Sequence, residues 1–178
     1  MIDSIIQHNI EHTKNCSENI ERLAPLIAES ASLICNALLH GKKILCYSPY
    51  NSMISDQFIY FMQQQFEHER PAFPCLNLSH LPLLHVFENI NALSNEHDIL
   101  ILFDHPGIAF DLTFWLEKTS QQKIQSIICT HQTSHPMSEG IVLNILSDKD
   151  YQIPPIQLLL INTLCSIIDG HIFGYTGS

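Results

Sequence analysis

The chain has 178 residues, of which 46% are hydrophobic, and a formal charge of −10 from 18 acidic and 8 basic side chains. This length and composition suit one globular domain with a substantial core and exclude a largely disordered chain. No basic stripe is present, which argues against direct DNA or RNA binding, because such binding depends on Lys and Arg at phosphates.

The cysteines and the N-terminus indicate a reduced, cytoplasmic protein. The six cysteines are scattered without a C-x-x-C pair, and most lie inside apolar runs, as reduced core thiols do. The first ten residues contain Asp3 and neither Lys nor Arg, unlike a signal peptide, and no apolar run reaches the length of a membrane span. We therefore expect a cytoplasmic protein that contacts no membrane.

The first 40 residues predict two helices ahead of any strand. Apolar residues recur at helical spacing between Ile2 and Leu23, which predicts an amphipathic first helix. Pro25 suits the first turn of a second helix, and Gly41 suits its end after His40. Because the apolar stripe of the first helix lies outside the sheet, we expect a partner surface to cover it.

The rest of the chain alternates between strand-like and helix-like segments. Apolar runs predict strands at 43–47, 72–78, 98–103, 123–130 and 141–146. Helices are predicted at 52–66, within 81–93, at 110–120, and from Pro154 or Pro155 to about Asp169, with Gly170 ending the last one. This alternation predicts one α/β domain over 1–178: helices in 1–40, then an α/β body in 41–178 with five parallel strands and helices on both faces.

The turn after the first strand has the frame of a phosphate site without its chemistry. Ser48, Asn51 and Ser52 lie between a buried strand and the start of a helix, where backbone N–H groups and the positive helix end can hold a phosphate. The turn contains no glycine that would let the backbone approach closely, and Pro49 has no N–H to donate.

Residues that match a known family occur at both ends of the chain. They are Lys43-Ile44-Leu45-Cys46, Ser52, Phe58, Phe66, Glu69-Arg70-Pro71, Pro74, the segment 162–169 and the apolar pair Ile172-Phe173. On these residues the chain resembles the sugar isomerase (SIS) domain family, in its phosphoheptose isomerase branch and its non-enzymatic DnaA initiator-associating (DiaA) branch. The resemblance implies the SIS fold, with the leading helices building a homotetramer or at least a homodimer.

Departures from the isomerase pattern affect the phosphate site. The Ser/Thr-rich turn that holds the sugar phosphate in the isomerases corresponds here to 104–109, which begins Asp104-His105. A carboxylate at Asp104 would repel a phosphate. We therefore interpret Ser48, Asn51, Ser52, Asp104 and His105 as a degenerate ligand cleft.

Further departures affect the acid and base positions of the isomerases. A His and a Glu on the helix after the first strand correspond to Gln57 and Phe61, and a Gln and a His on the final helix correspond to Pro154 (or Gln157) and Asn162. Proton transfer between two sugar carbons requires a positioned acid and base. The resemblance therefore implies a protein that is not an enzyme and that uses no metal or cofactor.

Two pairs of histidines are weaker candidates for a site. His8 and His12 are spaced to share a metal on the first helix, but no third ligand accompanies them, so a solvated polar face is the simpler interpretation. His131 and His135 flank a polar turn, and we interpret that turn as a surface loop.

The apolar C-terminal residues are the candidate partner surface. Ile172, Phe173 and Tyr175 lie at or beyond the predicted helix end at Gly170, and apolar residues at a chain end need a cover. The body of the protein, a neighbouring subunit or a separate partner could each supply it. The resemblance favours a partner, because the matching apolar pair in DiaA belongs to its surface for the replication initiator DnaA.

The function that the resemblance implies is a DiaA-like adaptor that binds DnaA and helps its assembly at the replication origin. Two alternatives stay open. One is a module that senses a sugar phosphate or nucleotide sugar in the cleft, and the other, a phosphoheptose isomerase-type enzyme of altered chemistry, lacks a coherent acid–base set.

Overall fold

Five parallel strands form one sheet in the order β2-β1-β3-β4-β5 within the described part of the chain. The structure, a computed structural model, describes residues 2–49, 52–64, 66, 68–105, 111–131, 140–147 and 149–174, apart from the side chains of residues 83, 84 and 112. The elements are α1 (Ile2–Leu39), β1 (Ile44–Tyr47), α2 (Ser52–Gln63), β2 (Cys75–Asn77), α3 (Leu83–Leu93), β3 (Ile99–Phe103), α4 (Leu112–Gln121), β4 (Gln125–Thr130), β5 (Ile141–Asn144), a 3-10 turn (Asp150–Gln152) and α5 (Ile153–Phe173). All five predicted strands are confirmed, with shorter bounds.

The core has two layers because successive strand residues point to opposite faces of the sheet. On β1, Ile44 and Cys46 pack into the layer formed with α1, α2 and α5. Leu45 and Tyr47 pack into the opposite layer, where Trp115 of α4 stacks on Tyr47 at a centroid distance of 5.0 Å. The prediction of a parallel sheet covered on both faces is confirmed.

The prediction of two leading helices is wrong, because α1 is one helix with Pro25 inside it. An internal proline removes a backbone hydrogen bond and costs about 3 kcal/mol. Leu23 and Ile27, on either side of Pro25, lie on one face of α1 and are both buried in the core. Burying each of them contributes about 1.5–3 kcal/mol, which is enough to offset the proline.

The predicted end of the last helix at Gly170 is also wrong. Helix α5 continues to Phe173 and ends at Gly174, which has a left-handed φ of 76° and donates its N–H to the Gly170 carbonyl oxygen at 2.9 Å. A glycine inside a helix costs only about 1 kcal/mol, and both Ile172 and Phe173 pack against the core beyond it. These two residues therefore form the last helical turn and are not a frayed tail.

The expectation that no segment reaches the length of a membrane span is wrong for two helices. By length and composition alone, α1 and the segment Asp150–Phe173 could each cross a membrane. Core helices of globular proteins meet the same criterion, and both helices pack one face against the sheet and against each other.

Candidate functional site

The carboxyl ends of β1 and β3 bring most of the predicted cleft residues together. Ser48 follows β1, while Asp104 and His105 follow β3, the strand paired beside it. The chain continues from β1 to β2 on one side and reaches β3 on the other, so this is the switch point where α/β sheets bind ligands. Ser52 begins α2 nearby, and Asn51 lies outside the described residues.

Ser48 is fully engaged within the fold. Its side chain is buried, and its Oγ donates to the Phe103 carbonyl oxygen at 3.2 Å. Its backbone N–H donates to Ser79 Oγ at 2.8 Å, which ties the end of β1 to the turn after β2. The hydroxyl therefore links β1 to β3 and does not face a ligand.

Asp104 is the centre of a buried polar group that the sequence analysis only partly anticipated. Its Oδ2 accepts a hydrogen bond from Thr130 Oγ1 at 2.7 Å and lies 3.2 Å from His131 Nδ1. Gln157 Nε2 on α5 donates to the Asp104 carbonyl oxygen at 2.8 Å. His131 thus contacts Asp104 and is not simply a surface-loop residue, whereas its predicted companion His135 lies outside the described residues.

The polar group around Asp104 would repel a phosphate, and its neighbouring cysteine is not an activated nucleophile. Asp104 is only 1% exposed, so the charge of an ionised carboxylate there is weakly screened. Burial strongly raises the pKa of the neighbouring Cys129 thiol, against a hydrogen bond from Gln157 that lowers it, and the charge of Asp104 raises it further. Cys129 is therefore a neutral thiol and not a thiolate nucleophile.

The residues that the resemblance matched to the isomerase acid and base positions, Gln57, Phe61, Pro154 (or Gln157) and Asn162, lie on α2 and α5. On α2, Gln57 is half-buried, and the Phe61 ring packs against Phe66 at a centroid distance of 4.4 Å. On α5, Gln157 is buried against Asp104, while Asn162 is half-buried. Among the described residues, no group of three or more His, Cys, Asp and Glu side chains is placed to hold a metal.

A second polar cluster lies at the carboxyl end of the edge strand β5 and was missed from sequence. Asn19 of α1 exchanges two 2.9 Å hydrogen bonds with the backbone N–H and carbonyl of Leu146, just after β5. Arg22 donates to the Asn144 carbonyl oxygen. Beside them lies a cavity of about 320 Å³, whose lining includes His12. The ring of His12 stacks on Tyr151, and His8 Nε2 lies 3.2 Å from the Tyr151 hydroxyl, so both histidines of the metal hypothesis contact this tyrosine.

The predicted partner residues lie at the other end of α5, against the segment that leads into β2. Ile172 and Phe173 are half-buried, and the Phe173 ring stacks on Phe73 at 5.8 Å. Tyr175 lies outside the described residues. Arg70, in the same segment as Phe73, pairs with Asp169 of α5.

The cleft and this terminal surface lie at opposite edges of the sheet. Phe73 lies two residues before the start of β2, and the carbonyl oxygen of Pro74 accepts the N–H of Ile44 at the start of β1. Helix α5 therefore runs from Gln157 at the carboxyl edge to Phe173 at the amino edge. A ligand in the cleft and a partner on the terminal surface would not compete for the same atoms.

Solved structures share this architecture over nearly the whole chain. A phosphoheptose isomerase from Francisella tularensis superposes with a TM-score of 0.79 at 24% identity, covering 94% of this chain and 97% of that one. A phosphoheptose isomerase from Neisseria gonorrhoeae gives a TM-score of 0.76 at 17% identity, covering 94% and 98%. This is the sugar isomerase (SIS) fold.

The chain is also similar in sequence to DnaA initiator-associating proteins. The DnaA initiator-associating proteins DiaA of Photorhabdus laumondii and Escherichia coli are each 25% identical to the chain. Each comparison covers 86% of this chain and 87% of the relative. No family model matches the chain. The predicted resemblance to the SIS family and to DiaA is confirmed.

Proposed function

We propose that this SIS-fold protein is a non-catalytic adaptor that binds the replication initiator DnaA and helps its assembly at the origin, as a cytoplasmic homo-oligomer. The similarity to proteins named for their association with DnaA, along 86% of the chain, carries this proposal. The superposed isomerases share the fold, and a shared fold alone does not transfer an activity.

The cleft supports a role without catalysis. At the switch point the Ser48 hydroxyl donates to the Phe103 carbonyl oxygen, and Asp104 places a carboxyl group in the turn that the resemblance matches to the phosphate-binding turn of the isomerases. Phe61, aligned with an isomerase acid–base position, cannot transfer a proton. A turnover assay with sedoheptulose 7-phosphate and added zinc tests this directly, and we expect no product above the protein-free rate.

The first third of α1 supports an oligomer. Ile2, Ile5, Ile6 and Ile10 recur along one side of the helix and are between 43% and 74% exposed in the single chain. Apolar stripes of this kind are covered in stable proteins, and a second copy of the same helix is the simplest cover. We propose the homotetramer implied by the resemblance. Such an oligomer presents several copies of one weak DnaA contact and gains avidity from their effective concentration.

We propose that Ile172 and Phe173, with Tyr175 after them, contact DnaA. The experiment that tests this compares Phe173→Ala with Phe114→Ala in surface plasmon resonance against DnaA from the source organism. Phe114 is the matched control, because it is partly exposed, packs on another phenylalanine (Phe87, at 4.9 Å) and lies on α4 at the opposite face of the sheet.

We expect Phe173→Ala to lower the affinity for DnaA by about 30-fold, as loss of an aromatic hot spot does, and Phe114→Ala to leave it unchanged. Equal affinity of both variants for DnaA would show that Phe173 is not part of the contact. A wild-type protein that binds no DnaA but is stabilised by a sugar phosphate in a thermal-shift assay would favour the sensing alternative instead.

A further inference from the structure

One guanidinium joins three parts of the chain at the amino edge of the sheet. The side chain of Arg70, between α2 and β2, is fully buried, and its Nε lies 2.7 and 2.9 Å from the two carboxylate oxygens of Asp169 on α5. Its Nη1 donates to the Met62 carbonyl oxygen at 3.0 Å, and its Nη2 donates to that of Phe61. These carbonyls belong to the last turn of α2, where no intrahelical donor is available, so Arg70 caps that helix.

The same guanidinium is connected to the proposed partner surface by a stack of rings. Arg70 Cζ lies 4.3 Å from the centre of the Phe73 ring, and Phe73 in turn stacks on Phe173 at 5.8 Å and an interplanar angle of 26°. Asp169 and Phe173 are four residues apart and therefore lie on the same face of α5. Arg70 thus holds the last turn of α5 in two ways: through the carboxylate of Asp169 and through the ring of Phe73.

Without such a hold, the end of a helix frays, and a partner has to order it on binding. Helix α5 ends at Gly174, one residue after Phe173. We propose that Arg70 and Asp169 are positioning residues for the DnaA contact, an inference that rests on the proposed function. Both side chains are buried and so do not touch DnaA themselves; they keep Ile172 and Phe173 in the binding conformation before DnaA arrives.

The test measures coupling between Asp169 and Phe173. The variants are Asp169→Asn, Phe173→Ala and the double variant, with Phe73→Leu as a milder second route that removes the ring stack and keeps an apolar side chain. Asp98→Asn is the matched control, because Asp98 is also a buried carboxylate paired with a basic residue (Lys43, at 2.6 Å) at the amino edge of the sheet. Within the described part of the chain, the hydrogen bonds and the ion pair of this carboxylate go to Lys43 and Asn95 and not to α5. All variants are compared well below their melting temperatures.

We expect Asp169→Asn to weaken DnaA binding about 10- to 100-fold, which corresponds to the ordering of two side chains on binding. Asp98→Asn should bind as the wild type does. The loss of affinity in the double variant should be smaller than the product of the two single losses, because Asp169 acts in part through Phe173. Wild-type affinity in both Asp169→Asn and Phe73→Leu, or effects that multiply in the double variant, would overturn the proposal.

Hydrogen exchange separates this inference from the proposed function. In Asp169→Asn, the amides of residues 170–174 should exchange faster than in the wild type and in Asp98→Asn, and this can be measured without DnaA. If the wild type binds no DnaA, the proposed function fails while the exchange result still reports the hold on α5. Unchanged exchange in Asp169→Asn would overturn the positioning role even if DnaA binds.

Discussion

The substitution Ile6→Asp should dissociate the proposed oligomer. The exposed fractions of Ile2, Ile5, Ile6 and Ile10 are 74, 56, 50 and 43%, which together amount to about two whole isoleucine side chains per copy. Burying one such side chain contributes about 1.5–3 kcal/mol, so two copies facing each other gain about 6–12 kcal/mol. This gain is comparable with the roughly 4–15 kcal/mol cost of association, so the stripe decides whether the subunits associate.

A carboxylate in the middle of this stripe removes apolar area and adds a charge that has to lose its water, in every copy at once. The cost is several kcal/mol per interface, or more than about a hundredfold in the dissociation constant. Sedimentation velocity at micromolar concentration measures the assembly directly. Ser4→Asp adds the same charge away from the stripe on the same helix and should leave the oligomer intact. A monomeric wild type, or an Ile6→Asp protein that sediments as the wild type does, would refute the reasoning.

Three further predictions concern the single subunit. Burial raises the pKa of Asp98, but hydrogen bonds from the Lys43 side chain and from the backbone N–H groups of Lys43 and Asn95 outweigh it and hold the pKa below 3.8. Asp98→Asn should therefore lower the free energy of unfolding by about 1.5–3 kcal/mol at neutral pH. In urea titrations this difference should shrink as the pH falls from 3.8 through the folded-state pKa. Thr130→Val removes the donor to Asp104 Oδ2 and should lower the unfolding free energy by about 1–3 kcal/mol, whereas an unchanged urea midpoint would mean that water replaces the hydroxyl. Burial raises the pKa of the Cys75 thiol to about 12, and all six cysteines are buried. A thiol reagent at about pH 8 should therefore label all six thiols of the unfolded chain, and it should label the native protein far more slowly. Rapid labelling of the native protein would contradict this.

The sheet could be predicted from sequence because its signals are local. Continuous apolar runs such as Ile99–Phe103 are typical of a strand with both faces buried, and the two core layers follow from the alternation of side chains. The boundaries that were wrong, at Pro25 and Gly170, are places where tertiary packing outweighs local propensity.

The site was predictable only in part because its contacts join distant residues. Sequence reasoning singled out Ser48, Asp104 and His105 as cleft residues, and the structure places them after strands. It missed the partners of these and of the terminal residues: Gln157 lies 53 residues from Asp104, and Asp169 lies 99 residues from Arg70. Nothing near either residue in the sequence indicates such a pair. Arg70 was matched only as part of a family motif, and its link to Phe173 depends on how α5 packs against the segment that leads into β2.

The central claim is that this SIS-fold protein joins several DnaA molecules. Sedimentation of the purified wild-type protein with increasing DnaA tests it most directly, because mass reports both binding and stoichiometry. The account predicts a complex that contains one oligomer and more than one DnaA, and that is lost in Phe173→Ala while the oligomer itself persists. Independent sedimentation of DnaA and an intact wild-type oligomer at every ratio would contradict it.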